Sequence, residues 1–174
     1  LVSFMRLGLV EQDRATTRYS LGPSAIRLGI SAINQTDLIE VARRYIDDAV
    51  SRSGVSISVS VWANHGPTII FRRDGAQPVP ISIRLGFVLP LLSTATGKAF
   101  LAHQPESVWM QLALQEEAPQ AGLLSTVKDE LPQIRRRRYA CTDSQMHRGF
   151  FGVSSPVMDG SGTICAAVTA LGLS

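Results

Sequence analysis

The sequence predicts an α+β domain, an antiparallel sheet flanked by helices, from three observations. Residues 55–61 (Val-Ser-Ile-Ser-Val-Ser-Val) alternate strictly, the pattern of a strand with one buried face. Extended runs at 153–158 and 163–171 flank Asp159-Gly160-Ser161-Gly162, a strong hairpin turn. Between these regions the chain carries helical patterns, and strands before and after a helical block define the class.

Taken in order, residues 1–7 place apolar side chains at near-helical spacing, and Gly8 stops that helix. Residues 9–12 and 18–21 read as two short strands around the polar turn 13–17, a hairpin with Arg14 and Arg18 near its tip. Gly22-Pro23 punctuates, and Ile26, Leu28, Ile30 and Ile33 mark a short helix from Ser24. Thr36 or Asp37 caps a helix over 38–53, with Leu38, Val41, Ala42, Tyr45, Ile46, Ala49 and Val50 on one face and Gly54 after it. A turn at 64–67 returns the chain into a strand at 68–72, and 79–85 reads as another strand. Pro105 opens a helix over 106–114, a loop occupies 119–122, and 126–138 is helical with 139–141 extended behind it.

The 174 residues suffice for one domain with a real core and leave room for a short appendage. The net charge of +3 rests almost entirely on arginine, with Lys98 and Lys128 the only lysines; this permits nucleic-acid contact without demanding it. Two cysteines are too few for a disulfide framework, so a reducing cytoplasm is the expected compartment, and no apolar run has the length of a membrane span. The chain opens at Leu1 without an initiator Met or a secretory signal layout and is expected to be a fragment of a longer protein.

The most informative stretch is 92–102, where Ser93, Thr94, Ala95 and Thr96 lead into a helix-forming apolar run. Free N–H groups at such a helix start serve either as an ordinary cap or as a cradle for an anionic group, and these residues alone leave both open. Arg135 to Arg138 is read as the solvated last turn of a helix, complementing its dipole, in preference to a phosphate-binding run. Cys141, His147 and Cys165 lack the paired spacing of a structural zinc site, so no metal or cofactor is expected, and the cysteines are read as small buried strand residues. No G-x-S-x-G elbow or paired nucleophile and base is present, so an enzyme is not expected. Trp62 and Trp109 are read as packing residues.

Several landmarks fall in one order: Arg18-Tyr19-Ser20-Leu21-Gly22 before a linker helix, then Leu89-Pro90-Leu91 to Ala102, then Leu131 to Ala140, then Gly149, Ser155-Pro156-Val157 and Asp159. Together they resemble the IclR family of bacterial transcription regulators across essentially the whole chain. The resemblance implies residues 1–22 as the wing of a winged helix-turn-helix, 23–34 as a linker helix and 35–174 as an effector-binding domain of GAF-like fold. It also implies operator DNA as a partner, contacted at the wing by Arg14 and Arg18, and assembly as a homodimer or homotetramer. The front of the DNA-binding domain and the family's usual final helix are missing from this stretch.

By position, the resemblance implies an effector pocket in which Ala95, Thr96 and Gly97 offer N–H groups to a carboxylate. Ile81, Ile83 and Leu89 give apolar walls, followed by Thr142, Phe150, Thr169 and Leu171. Thr142 stands where an Asp is common, Gly152 where a Cys occurs and Leu171 where a Ser occurs, and Phe150 adds an aromatic wall. An aromatic or relatively apolar carboxylate is therefore the expected effector, in place of a two- or three-carbon acid. A stand-alone GAF-like sensor or interaction module without DNA binding is the alternative. Arg138 replaces the Gly that often precedes Tyr-Ala in the family; an Arg held there at positive φ costs about 1 kcal/mol.

Overall fold

The computed structural model describes residues 1–34, 37–76, 84–117, 122–144 and 149–173. Among them lie six helices and seven strands: α1 (Val2–Arg6), β1 (Val10–Gln12), β2 (Tyr19–Leu21), α2 (Pro23–Asn34), α3 (Asp37–Ser53), β3 (Ser56–Ala63), β4 (Gly66–Arg73), α4 (Ala95–His103), α5 (Glu106–Glu117), α6 (Leu123–Arg137), β5 (Ala140–Asp143), β6 (Phe150–Met158) and β7 (Ile164–Leu173). The strand expected at 79–85 falls mostly outside the described residues, as does the cap Thr36. The chain divides into two compact units, Leu1–Arg44 and Tyr45–Ser174, with the division inside α3.

In the first unit β1 and β2 form an antiparallel hairpin, Val10 opposite Leu21 and Gln12 opposite Tyr19. Its turn is closed by the Asp13 carboxylate, which accepts the N–H groups of Ala15 (2.7 Å) and Thr16 (3.1 Å). Short polar side chains that mimic a backbone acceptor are the usual closure for such turns. Arg14 and Arg18 are exposed at this tip. Pro23 supplies the first residue of α2, where its missing N–H has no helical partner to lose.

The second unit is built on a five-stranded antiparallel sheet in the order β4-β3-β7-β6-β5. Residues 86–89 run along the outer edge of β4: Ile69 receives a bond from Gly86 and donates to Phe87, and Leu89 donates to Pro67 (2.7 Å). Helix α4 packs on β5, β6 and β7, and α6 packs on α4. The main core unites Leu92, Ala99 and Leu101 with Trp109 and Ala113 of α5 and Val127, Leu131 and Ile134 of α6. On the sheet side Phe100 meets Ala167 and Ile164, with Trp62 tilted against it at a 5.6 Å ring separation.

Several expectations are corrected. β3 buries residues on both faces, because the register places Ser58 opposite Thr169 and Ser60 opposite Ala167, on the side that α4 covers. Val41 and Tyr45 of α3 are exposed while Ile46 is buried, so the inward face of that helix is narrower than its apolar pattern. Both cysteines are exposed and free: in β5 Ala140 takes the inward position beside Cys141, and in β7 Ile164 and Ala166 do so beside Cys165. The arginine run closes α6 as expected, with Arg135, Arg136 and Arg138 exposed. The Nε–H of Arg135 donates to the Ala102 carbonyl at the end of α4, and Arg137 lies over the Tyr139 ring and donates to the Tyr139 carbonyl. Among the described residues no helix is long and apolar enough to cross a membrane.

Candidate functional site

Helix α4 opens at Ala95, with Thr94 as its cap: the Thr94 Oγ1 accepts the N–H of Gly97 (2.9 Å) and donates to the Pro90 carbonyl (2.6 Å). The loop leading into this start is held by Glu116 of α5, whose two carboxylate oxygens accept the N–H groups of Leu91 (2.6 Å) and Leu92 (2.9 Å). Gly97 is required by contact. A Cβ there would sit 2.3 Å from the Leu91 carbonyl oxygen and 2.5 Å from that of Pro90. With Gly97 taken by the cap, the N–H groups of Ala95 and Thr96 have no protein acceptor among the described residues.

Beneath this helix start lies a line of buried hydroxyls. Thr169 Oγ1 donates to Ser154 Oγ (2.9 Å), and Thr96 Oγ1 lies 2.7 Å from Thr169 Oγ1. A hydroxyl has one proton, so the chain runs from Thr96 to Thr169 to Ser154. The Thr96 side chain is thereby turned onto the sheet, leaving its backbone N–H as the group open to a ligand. Ser60 is fully buried on the same sheet face, and its Oγ has no partner among the described residues. An unpartnered buried hydroxyl costs about 1–3 kcal/mol unless a water or ligand satisfies it.

Ala95, Thr142, Gly152 and Leu171 meet at one point. A Cβ on Gly152 would contact Thr142 Oγ1 (3.4 Å), Ala95 Cβ (3.6 Å) and Leu171 Cδ1 (3.8 Å). Thr142 and Gly152 also line a cleft of about 480 Å³ with Lys98 and Glu130. The junction is a neutral hydroxyl and carbon beside the helix start with its two N–H donors, and the cleft that Thr142 and Gly152 border holds the buried Lys98 ammonium among Glu130, Arg137 and Asp143. That set favours an anion carried on an apolar frame.

A model of the C-terminal domain of bacterial IclR transcriptional regulators matches residues 30–173. The chain belongs to the IclR family. The glycerol operon regulatory protein of Streptomyces coelicolor is 30% identical over 158 residues, covering 87% of this chain and 61% of its own length. The crystal structure of HmgR from Pseudomonas aeruginosa superposes with a TM-score of 0.72 at 28% identity, over 99% of this chain and 70% of its own. An IclR-type regulator from Silicibacter shares the fold at a TM-score of 0.85 and 17% identity, over 99% of this chain and 70% of its own. The chain thus spans about three-fifths of the length of that Streptomyces relative, 61%. IclR proteins are transcription regulators and not enzymes.

Of the residues that the IclR resemblance singled out, Ala95, Thr96, Thr142, Thr169 and Leu171 come together around Gly152 and the start of α4. Phe150 follows in β6 opposite Leu173, on the same side of the strand as Gly152. Gly97 belongs to the cap, and Leu89 lies elsewhere, in a groove with His65, Leu112 and Glu116 beside β4. Ile81 and Ile83 lie outside the described residues.

Sequence reasoning missed Lys98, whose Nζ is buried and bonded to Glu130 Oε2 (2.9 Å). A lone lysine inside the apolar run 95–102 was the available signal. It also missed the inward role of Glu116, because acidic residues on a helix are by default assigned to its wet face.

Proposed function

We propose that this chain is the effector-sensing part of a one-component, DNA-binding transcription regulator, and that its effector is a small organic acid of aromatic or relatively apolar character. The observation that carries this reading is the paired N–H groups of Ala95 and Thr96 at the start of α4, set beside the carbon-lined junction of Ala95, Thr142, Gly152 and Leu171. The carboxylate sits on the two N–H groups. The frame lies toward Leu171 and Phe150, where the absence of an acidic or thiol side chain at Thr142 and Gly152 lowers the polarity that a two- or three-carbon acid would need.

In this reading residues 1–22 are the wing of a winged helix-turn-helix, with Arg14 and Arg18 contacting operator DNA, 23–34 are the linker and 35–174 the effector domain. The assembly is a homodimer or homotetramer, and the protein works in the cytoplasm. The effector changes operator affinity only by the difference in its binding free energy between two arrangements of the protein.

A thermal-shift screen of the 174-residue chain against benzoate, phenylacetate, acetate, glyoxylate and pyruvate tests the reading. Benzoate-like acids are expected to raise the melting temperature more than the short acids do, and Thr96→Trp is expected to abolish the shift. Tighter binding of the short acids by calorimetry would sink the aromatic assignment.

A further inference from the structure

Lys98 and Glu130 form an ion pair of unequal burial. The lysine side chain is 2% exposed and the glutamate side chain 37%. Among the described residues Glu130 is the one acceptor bonded to the Lys98 Nζ, at 2.9 Å, so two of the three ammonium donors have no protein partner. Both residues line the cleft of about 480 Å³ that also contains Gln133, Thr142 and Gly152, the last two belonging to the proposed effector junction. Two further charges line it. Arg137 is engaged with Tyr139 and Cys141, and Asp143 accepts the Ser144 hydroxyl.

We propose that Glu130 is an exchangeable counter-ion, and that an anionic group of the effector replaces it on the Lys98 ammonium. A buried ammonium needs an anion beside it, because an unpaired charge in that position is strongly destabilising. The Lys98 side chain is almost wholly buried, whereas Glu130 is more than a third exposed and rehydrates when it leaves. Exchange of one carboxylate for another therefore strands no charge. It makes the site demand a negative ligand and reject its neutral isostere, and it sets affinity below what Lys98 alone would give. Lys98 follows the capped Gly97 in sequence, so α4 carries both the backbone N–H groups and the side-chain cation.

This inference rests on the carboxylate reading of the site, and the test separates the two. Benzoate and neutral benzamide are titrated by calorimetry into the unaltered chain, Glu130→Gln, Lys98→Met and Thr96→Trp, with circular dichroism melts confirming that each folds. Removal of the competing carboxylate in Glu130→Gln is expected to tighten benzoate binding about tenfold while leaving benzamide unchanged. Lys98→Met is expected to weaken benzoate by about tenfold or more. If the unaltered chain binds benzoate and Thr96→Trp does not, the carboxylate reading holds. Benzoate binding by Glu130→Gln no tighter than that of the unaltered chain then overturns the exchange alone. Binding by neither the unaltered chain nor Glu130→Gln overturns both.

Discussion

The hydroxyls of Thr96 and Thr169 lie 2.7 Å apart although 73 residues separate them, and this bond ties the first turn of α4 to the last strand of the sheet. Because Thr169 passes its own proton to Ser154, it is the central member of the chain and the one whose loss disturbs both neighbours. Thr169→Val keeps the shape and leaves the Thr96 O–H without its acceptor. The expected cost is about 1–3 kcal/mol in urea denaturation, with the larger value if no water enters. Thr169→Ser retains the hydroxyl and is expected to lose less.

Glu116 decides how α4 begins, because its two oxygens collect the N–H groups of Leu91 and Leu92 ahead of the Thr94 cap. Glu116→Gln keeps one acceptor and turns an NH₂ group toward the other N–H. A loss of about 1–3 kcal/mol is expected on denaturation, together with weaker carboxylate binding as the loop before Thr94 loosens. Stability equal to that of the unaltered chain would show that the carboxylate is dispensable there.

Arg138 ends α6 in the left-handed region, with φ at 60° and its N–H donated to the Ile134 carbonyl at 2.8 Å. Only glycine occupies that region without a steric penalty from Cβ. Arg138→Gly is expected to stabilise the protein by about 0.5–1 kcal/mol, read as a raised denaturation midpoint at an unchanged slope.

The Asp159 carboxyl is held below its ordinary value of 3.8, first by the Ser161 hydroxyl and then by the N–H groups of Thr163 and Ser161. The N–H groups of Ala15 and then Thr16 hold the Asp13 carboxyl down in the same way. A depressed carboxyl contributes stability that is complete above the unfolded value and lost as pH falls through the folded one. Carboxyl resonances followed by NMR on the folded chain are expected to titrate with midpoints under 3.8 at both residues. A midpoint at or above that value at Asp159 would mean that the turn is open in solution.

The amino-acid order by itself determined the local elements, because what shapes them acts over a few residues. The period of apolar side chains marks strands and helices, Thr94 caps α4, and Asp159-Gly160-Ser161-Gly162 turns the last hairpin, while the left-handed place of Arg138 came only from the IclR resemblance. Tertiary structure decided which faces and partners these elements acquire. The serines of β3 read as a wet face although Ser56 and Ser60 are buried in the fold, and Cys141 and Cys165 read as core until the strand register turns them outward. Lys98 finds Glu130 across 32 positions, and Thr96 finds Thr169 only because β7 occupies the centre of the order β4-β3-β7-β6-β5. Periodicity states that a face is buried; what lies against it depends on non-local strand order and helix packing, and there the candidate site takes its chemistry.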